Sequence, residues 1–199
     1  MAFDYAVVLT GGIATGKSSV AKIFESFDFK IIDADRVAHE MLELHQDKIV
    51  ELFGSQYILD GKVNRKALGT LIFGNKQEKL RLETLLHPLI FSEIEKQALE
   101  LDLLKKPYLV DIPLFFETKR YAIEKVIVVY VPRKLQLKRL MARDSSTKEA
   151  SEQRINSQIE IDKKKQQSTY LIDNQGDLKT LQQHCVKVKD KILDDFRGR

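Results

Sequence analysis

Five short apolar runs recur along the chain, and most are followed by longer stretches in which apolar and polar positions alternate with helical spacing. Short, nearly continuous runs rich in β-branched residues are typical of strands that are buried on both faces of a sheet. Strands separated by helical patterns predict parallel pairing. The predicted strands are 5–10, 29–33, 108–112, 126–131 and 169–173. The pattern therefore predicts an α/β fold with a five-stranded, mostly parallel sheet flanked by helices.

The helical patterns divide into a core set and two excursions from the sheet. A helix from Lys17 to Ser26 and a final helix over 177–197 are expected in the core. The interval after the second strand is too long for a simple crossover, so 34–106 is predicted to be an inserted helical unit with a turn near Asp60-Gly61. A second helical excursion is predicted over 134–167. The helices predicted within the excursions are 36–53, 65–73, 76–86, 88–104, 134–143 and 148–166.

The composition is that of an ordinary globular protein. The chain has 199 residues, 43% hydrophobic and 31% charged, which suits a single domain with a sizeable apolar centre. The core of this domain, without the two excursions, is predicted to comprise 1–33, 107–133 and 168–199. Cys185 is the only cysteine, so neither an intrachain disulfide nor a cysteine-based zinc site is expected. No secretory signal or membrane-spanning run is visible. We therefore expect a cytoplasmic protein without a membrane partner.

Positive charge is concentrated in one segment. The net charge of +4 is too small to indicate a nucleic-acid partner. Residues 133–165, however, carry ten Lys or Arg and five Asp or Glu, a local charge of +5. Such a segment is either a solvated helical face or an anion-binding surface. No oligomerisation motif is visible, so no protein partner is expected.

The segment "LTGGIATGKSSV" (9–20) carries the first recognisable chemistry. It matches G-x-x-x-x-G-K-[ST] through Gly11, Gly16, Lys17 and Ser18, between a predicted strand and a predicted helix, as the motif requires. Glycines let backbone N–H groups approach an anion closely, and these groups form a phosphate site with the helix N-terminus. Lys17 would then reach the β- and γ-phosphates, and the Ser18 hydroxyl would bind Mg²⁺. The alternative is a glycine-rich turn beside a surface lysine.

The remaining sequence narrows the class of nucleotide-binding protein. Guanine-specific switch proteins need Asn-Lys-x-Asp, but the nearest string, "NKQE" (75–78), ends in Glu and lies in the predicted insert. The chain is also short for a motor ATPase with its sensor elements. A small kinase is favoured over a nucleotide-responsive binding protein without catalysis, because a candidate base follows the second strand.

Two carboxylates, Asp33 and Asp35, lie where the second predicted strand ends. Ligands of open α/β sheets bind beyond the carboxyl ends of the strands, so Asp33 is expected to face the phosphate loop. Phosphoryl transfer to a hydroxyl needs a carboxylate that accepts the proton, and Asp33 is the candidate base. Asp35 either helps to position the acceptor or points elsewhere. The alternative for both is to cap the next helix.

A third acid, Asp111, lies at the end of the third predicted strand. It is either a Mg²⁺ ligand acting through water or a polar strand terminus. The run 113–116 that follows is more typical of a core than of a ligand site. Together with Glu117, however, Pro113 and Leu114 would suit the wall of a pocket for an apolar or pantetheine-like tail.

Seven short strings occur in a characteristic order along the chain. They are "LTGGIATGKS", "IDAD", "HPLI" (87–90), "IPLFFE" (112–117), "RLMARD" (139–144), "RINSQ" (154–158) and "IDNQG" (172–176). In this order they resemble the dephospho-coenzyme A kinase family over essentially the whole chain. The resemblance implies a P-loop NTPase fold with a CoA-binding insert and a mobile lid. It also implies ATP-dependent phosphorylation of the ribose 3′-hydroxyl of dephospho-CoA, the last step of coenzyme A synthesis. The alternative is another small P-loop kinase that acts on a nucleotide or small alcohol.

The resemblance further implies roles for individual residues. It makes Asp33 the base, places Arg139 and Arg143 in the lid, and places Asn174 near the adenine. It assigns ATP binding to the loop residues Gly11, Gly12, Ile13, Ala14, Thr15, Gly16, Lys17, Ser18 and Ser19. Ala14-Thr15 stands where the family usually has Gly-Ser, a departure that bears on the backbone geometry of the loop.

Physical reasoning supports some of these roles and leaves alternatives for others. Arg139 and Arg143 are i,i+4 neighbours and share one helix face, from which they would neutralise charge on the phosphoryl group; the alternative is solvated or ion-paired arginines. Arg65 is a candidate contact for the phosphates of the acceptor. His87, which precedes Pro88, is either an acceptor ligand or part of a helix start. Asn174 lies either near the adenine or in a simple turn.

Overall fold

The computed structural model describes residues 2–198 and contains the predicted five-stranded sheet. The strands are β1 (Ala6–Gly11), β2 (Ile31–Asp33), β3 (Ile58–Leu59), β4 (Lys62–Val63), β5 (Tyr108–Asp111), β6 (Val126–Tyr130) and β7 (Tyr170–Asp173). Five of them form one sheet in the order β2-β5-β1-β6-β7. Strand β1 pairs in parallel with β5 and β6, and β6 pairs in parallel with β7. All five predicted strands are confirmed, with ends that differ by no more than two residues.

Ten α-helices connect the strands in the described part of the chain. They are α1 (Lys17–Glu25), α2 (Ala34–Leu44), α3 (Gln46–Phe53), α4 (Arg65–Gly74), α5 (Lys76–Asp102), α6 (Phe115–Thr118), α7 (Arg133–Asp144), α8 (Lys148–Asn156), α9 (Ile161–Gln166) and α10 (Leu178–Asp195). Among residues 2–198, none of these helices has the length and apolar character needed to cross a bilayer.

The chain forms two compact units. One runs up to Ile32 and resumes at Ala98, and the other comprises Asp33–Gln97. The domain boundaries expected from the sequence remain predictions, as do the roles of 34–106 as a substrate-binding insert and of 134–167 as a lid.

The first unit is built around fully buried strands. Every residue of β1, β5 and β6 is buried, which explains why their sequences are apolar without alternation. Helix α1 packs against α10, and α10 contributes Cys185 to the core. Burial raises the pKa of that thiol to about 12, so the single cysteine is an inert core residue.

The second unit has its own apolar core. A cluster of side chains from α2, α3, β4, α4 and α5 fills it: Leu42, Ile49, Phe53, Val63, Leu68, Leu82 and Leu86. Strands β3 and β4 form an antiparallel hairpin across the predicted Asp60-Gly61 turn, where both residues have positive φ. This combination is typical of a tight hairpin turn.

The prediction of separate helices over 76–86 and 88–104 is wrong, because α5 is continuous and Pro88 lies inside it. A proline within a helix removes the hydrogen bond to the carbonyl four residues earlier, here that of Thr84. Both Thr84 and Pro88 are exposed, so water can satisfy this carbonyl. The opposite face buries Leu82, Leu86 and Ile94. Packing along that face outweighs the local preference of proline, and the expected helix start at His87-Pro88 does not exist.

Two other predicted helices are each divided in the structure. The predicted helix 36–53 is interrupted at His45, whose backbone is not helical, so that Ile49 and Phe53 reach the same apolar cluster as Leu42. The predicted helix 148–166 is interrupted over 157–160, where the chain makes hydrogen bonds to distant segments instead. These breaks depend on tertiary contacts that local periodicity does not encode.

Candidate active site

The predicted phosphate loop connects the end of β1 to the start of α1. Gly16 caps α1 with a φ of 90°, and a Cβ at this position would lie 2.2 Å from Asn174 Nδ2. A Cβ at Gly11 would lie 2.9 Å from the carbonyl oxygen of Val129. Glycine is therefore required at both ends of the loop, by backbone conformation at Gly16 and by packing at Gly11. Ala14 also has a positive φ, of 60°.

The start of α1 offers unpaired N–H groups to an anion. The first N–H groups of a helix have no acceptor within the helix, and Gly16 has no side chain that could accept from them. The first turn carries no acidic residue, so the positive end of the helix dipole is not neutralised locally. This arrangement suits a phosphate group.

Side chains from distant segments hold the loop backbone. Gln136 of α7 donates to the carbonyl of Ile13 at 2.7 Å, and Gln158 accepts from the N–H of Ile13 at 2.8 Å. Asn174, which follows β7, donates from Nδ2 to the carbonyl of Thr15 at 2.8 Å. Thr15 is itself buried, and its hydroxyl donates to the carbonyl of Gly12 at 2.9 Å. The loop therefore has a fixed shape that these polar contacts define.

Lys17 and Asp111 form an ion pair. Asp111 ends β5 and lies opposite Leu9 of β1 in the sheet register, so its side chain is beside the phosphate loop. The side chain of Asp111 is 9% exposed and that of Lys17 is 21% exposed. The structure thus brings together two of the predicted site residues at the carboxyl edge of the parallel sheet.

A pocket of about 330 Å³ adjoins the loop. Its lining combines residues of the loop and the start of α1, both ends of the β7–α10 connection, and one residue of α7: Ala14, Gly16, Ser19, Arg139, Asn174, Gly176, Asp177, Leu178 and Leu181. Arg139 and Asn174, both predicted from the sequence to lie near the nucleotide, therefore share one pocket with the loop. The exposed residues Ser18 and Ser19 lie at the start of α1.

A hydrogen bond connects the segment after β5 to the end of β1. The hydroxyl of Thr10 donates to the carbonyl of Pro113 at 3.1 Å. Pro113 is half-buried and Leu114 is 40% exposed, so both present apolar surface. Glu117 Oε1 lies 2.7 Å from Lys164 Nζ and accepts from the N–H of Ile159 at 3.0 Å. The carboxylate of Glu117 is thus engaged within the protein.

Arg143 lies on α7 one turn after Arg139, but it is ion-paired. Its guanidinium donates to both carboxylate oxygens of Asp144, at 2.7 Å and 3.0 Å, and Arg154 binds the same carboxylate. Hydrogen bonds from Arg143 and Arg154 hold the pKa of the Asp144 carboxyl well below its ordinary range. Arg143 is exposed, so this pairing is accessible to a competing anion.

Four predicted residues lie in the second unit. Asp33 is the N-cap of α2, and its Oδ1 accepts from the N–H groups of Asp35 at 2.9 Å and Arg36 at 3.0 Å. Capping, the structural alternative for Asp33, is therefore observed, and it fixes the orientation of the carboxylate. Asp35 is exposed in the first turn of α2. Arg65 is the exposed first residue of α4, and His87 is half-buried in the middle of α5.

Two of the predicted residues are candidate oxygen ligands for a metal ion. Within residues 2–198, no three His, Cys, Asp or Glu side chains cluster in a way that could hold a metal ion by themselves. Mg²⁺ in kinases is usually bound through one or two carboxylates together with substrate phosphates and water. Asp111 at the end of β5 and the Ser18 hydroxyl at the start of α1 are oxygen donors of the kind that such an ion prefers.

Sequence reasoning missed three residues that shape the loop: Gln136, Gln158 and Lys164. Lys164 is fully buried and donates to the carbonyl of Gly11 at 3.0 Å. It belongs to the run Lys163-Lys164-Lys165 in the basic segment, which is typical of a solvated face. The run 159–161, "IEI", which precedes Lys164 in the sequence, is the one local sign that part of this segment turns inward.

Comparison with known proteins places this architecture in a family. The family model described as dephospho-CoA kinase matches residues 5–180. A dephospho-CoA kinase of Sulfurimonas denitrificans is 46% identical over 192 residues, which cover 96% of each chain. The solved structure of dephospho-CoA kinase from Campylobacter jejuni is 37% identical, has a TM-score of 0.73, and is matched over 96% of this chain and 98% of that one.

A more distant likeness concerns the fold alone. Shikimate kinase from Acinetobacter baumannii is 18% identical, with a TM-score of 0.52, and is matched over 98% of this chain and 95% of that one. Together with the parallel sheet and the folded phosphate loop, this likeness confirms the P-loop NTPase fold. The match over residues 5–180 and the 46% identity establish more than the fold. The chain belongs to the dephospho-CoA kinase family.

Proposed function

We propose that this chain transfers the γ-phosphoryl group of ATP to the ribose 3′-hydroxyl of dephospho-CoA, giving coenzyme A and ADP. Membership of the dephospho-CoA kinase family over residues 5–180 supports the reaction. The observation that carries the proposal is the folded phosphate loop with Lys17 paired to Asp111 at the carboxyl edge of the sheet, because phosphoryl transfer depends chiefly on positioning and charge.

The loop and the adjoining pocket would bind different parts of ATP. The N–H groups at the start of α1 and the ammonium of Lys17 would hold the phosphates. The pocket lined by Arg139 and Asn174 would take the nucleoside end, where Leu178 and Leu181 offer apolar surface to a base. Because Asn174 also fixes the Thr15 carbonyl, the same residue would join the two parts of the nucleotide site.

Ser18 and Asp111 would hold Mg²⁺ together with the phosphates. When bound, the ion supplies positive charge that offsets the charge on the β- and γ-phosphate oxygens. Lys17 would exchange its contact with Asp111 for one with the phosphates. The ion pair holds both side chains beside the phosphate loop, where the phosphates and Mg²⁺ would bind.

On the acceptor side, Asp33 is proposed to accept the proton of the ribose 3′-hydroxyl. The hydroxyl oxygen forms the new bond to the γ-phosphorus, and the bond from that phosphorus to the oxygen it shares with the β-phosphate breaks, leaving ADP. Two backbone N–H groups hold Oδ1 of Asp33, so the carboxylate is already oriented. Asp35 is proposed to help position the acceptor.

The other contacts to the acceptor are proposed from the placement of the residues. Arg65 is an exposed cation suited to the phosphates of the acceptor, and His87 is half-buried on α5. Pro113 and Leu114 offer apolar surface to the pantetheine tail, whereas Glu117 already pairs with Lys164. Arg143 is proposed to leave Asp144 and neutralise charge on the transferring phosphoryl group. The cytoplasmic location and the lack of a protein partner expected from the sequence also remain predictions.

A coupled assay that detects ADP tests the substrate. We expect turnover with dephospho-CoA to exceed turnover with nucleoside monophosphates and with adenosine at equal concentration. Faster turnover of a monophosphate would instead assign the chain to another class of P-loop kinase. Binding of ATP without transfer to any of these acceptors would indicate a binding protein.

The substitution Asp33→Asn tests the base. Asparagine can still accept the capping hydrogen bonds of α2, so the fold and the affinity for ATP should be preserved. Loss of the proton acceptor should lower kcat by about 10²–10⁴-fold. Asp47→Asn, at an exposed position in the first turn of α3, is the matched control and should leave kcat unchanged. A kcat for Asp33→Asn close to that of the wild type would remove Asp33 from the mechanism.

A further inference from the structure

Lys164 is a fully buried lysine at the base of the phosphate loop. It lies on α9 and is 0% exposed. Its ammonium donates to the carbonyl of Gly11 at 3.0 Å and lies 2.7 Å from Glu117 Oε1. Lysine is almost never fully buried unless it is paired, and burying two charges carries a desolvation cost that their attraction often only balances.

Stability alone does not account for this ion pair. Among the buried side-chain oxygens and nitrogens of residues 2–198, Glu117 Oε2 has no hydrogen-bond partner within the protein, so other protein groups do not fully satisfy this carboxylate. Apolar residues of similar volume in place of such a pair are often equally stable or more so. The charges of Lys164 and Glu117 therefore need a role other than stability, and the contacts of Lys164 indicate that they hold a neighbouring group in place.

The group that Lys164 holds is the peptide between Gly11 and Gly12, where the loop leaves the strand. Gly11 is the last residue of β1 and pairs with Val129. Two successive glycines leave the backbone free to adopt many conformations at this point. A buried ammonium on the Gly11 carbonyl fixes the plane of this peptide. The orientation of this peptide in turn sets the direction in which the loop leaves β1.

Glu117 connects this contact to two further segments. It belongs to α6, shortly after Pro113 and Leu114, and it accepts from the N–H of Ile159 between α8 and α9. Lys164 and Glu117 thereby join the end of β1, the segment after β5 and the break in the basic segment. Gln158, the neighbour of Ile159, holds the N–H of Ile13 from the same break.

We propose that Lys164 is a positioning residue for phosphoryl transfer. It fixes the Gly11–Gly12 peptide and so sets the direction in which the loop presents its N–H groups and Lys17 to the phosphates, and Glu117 balances its charge. Lys164 touches neither substrate. The inference rests on the proposed function, since it is measured through the transfer of phosphate to dephospho-CoA.

Two variants separate positioning from charge balance. Lys164→Met alone removes the contact with Gly11 and leaves Glu117 buried without its cation. The double variant Lys164→Met/Glu117→Gln also removes that stranded charge, while glutamine retains an oxygen that can accept from Ile159. Lys163→Met, at a neighbouring exposed lysine, is the matched control.

We expect the single variant to unfold about 10 °C below the wild type, because an unpaired buried charge is strongly destabilising. The double variant should unfold within a few degrees of the wild type. Both variants should nevertheless have a lowered kcat. The kcat of the double variant should be about 100-fold lower, the size of effect expected from small misplacement of reacting groups. Its KM for dephospho-CoA should change by less than about threefold, because Glu117 is engaged with Lys164 and Ile159 within the protein and the other proposed acceptor contacts are unchanged. Lys163→Met should match the wild type in all three measurements.

A double variant with wild-type kcat would overturn the inference, because Lys164 would then serve only to neutralise Glu117. If the single variant does not fold, the double variant decides the question by itself. Wild-type turnover of dephospho-CoA is measured first in the same assay. A failure of the proposed function thus shows in the wild type, whereas a failure of this inference shows only in the variants.

Discussion

The phosphate loop and the helical unit Asp33–Gln97 are each stabilised by a different kind of contact. Polar side chains from positions far along the chain fix the loop: Gln158 lies 145 residues from Ile13, Lys164 lies 153 from Gly11, and Asn174 lies 159 from Thr15. The helical unit depends on an apolar cluster, and short-range caps such as that of Asn64 on Ala67 start its helices.

The difference follows from what each kind of contact can specify. A hydrogen bond is directional and fixes the orientation of a particular peptide, as a loop that must present N–H groups to a ligand requires. Apolar burial is non-directional and adds up with area, which stabilises a helical unit without fixing any one backbone group. Loop substitutions should therefore alter turnover more than stability, and substitutions in the apolar cluster should do the reverse.

Lys17→Ala should have the largest effect and acts on turnover. Removing a cation aimed at the transferred group should lower kcat by about 10³-fold, at the upper end of the cost of losing one charge-stabilising donor. The fold should survive, because Lys17 is partly exposed and its side chain is not part of the apolar core. Steady-state kinetics and circular dichroism together test both statements.

The matched control for Lys17→Ala is Lys22→Ala, an exposed lysine in the last turn of the same helix. It should leave kcat unchanged. Turnover that persists undiminished in Lys17→Ala would contradict the assignment of the phosphate loop.

Leu68→Ala should have a smaller effect, and on stability. Leu68 is 2% exposed in the apolar cluster, so its truncation should lower the free energy of unfolding by about 2–5 kcal/mol. The affinity for ATP should not change, because the loop is not involved. Urea titration and ATP binding provide the two measurements.

Leu80→Ala provides the comparison for Leu68→Ala, because Leu80 is 64% exposed in the same unit. It should change the free energy of unfolding by less than about 0.5 kcal/mol. Equal losses at the two positions would mean that the apolar cluster does not stabilise this unit in the way described.

Ala14→Gly should have the smallest effect and tests whether the surrounding contacts impose the shape of the loop. Ala14 has a φ of 60°, which costs an alanine about 1–2 kcal/mol. Glycine relieves this strain but adds freedom to the unfolded chain, worth about 0.4–1 kcal/mol. The free energy of unfolding, measured by urea titration, should therefore rise by about 0–1.6 kcal/mol.

Ala142→Gly is the counterpart, at an exposed position with ordinary helical geometry in α7. It should lower the free energy of unfolding by about 1 kcal/mol. The two glycine substitutions should thus differ in sign. A loss at Ala14 equal to that at Ala142 would show that the loop is not strained at this residue.

The sheet was predictable from the sequence because buried parallel strands have an unmistakable apolar pattern. The phosphate loop was equally predictable, since its spacing reflects the needs of the backbone at Gly11 and Gly16. The helix breaks at His45 and over 157–160 were not, because they exist to satisfy packing and hydrogen bonds with other segments. Pro88 led to a wrong prediction, because the preference of proline for the first turn of a helix is outweighed by the apolar packing along α5.

The site was only partly predictable for a related reason. Lys17, Asp111, Arg139 and Asn174 belong to motifs with a chemical meaning of their own, and the structure places them around the loop. Lys164 has none, because a lysine between two others looks like any exposed cation until its partners are known. Those partners, a backbone carbonyl and Glu117, are identified only by the folded chain.

The two hydrogen bonds on Ile13 join the phosphate loop to both ends of the segment 136–158. Gln136 donates to the carbonyl of Ile13 and Gln158 accepts from its N–H, so a change at either glutamine would release one side of the same loop residue. If 134–167 acts as the predicted lid, a movement that preserves both bonds is confined to the residues between these two glutamines, which include Arg139, Arg143 and Arg154.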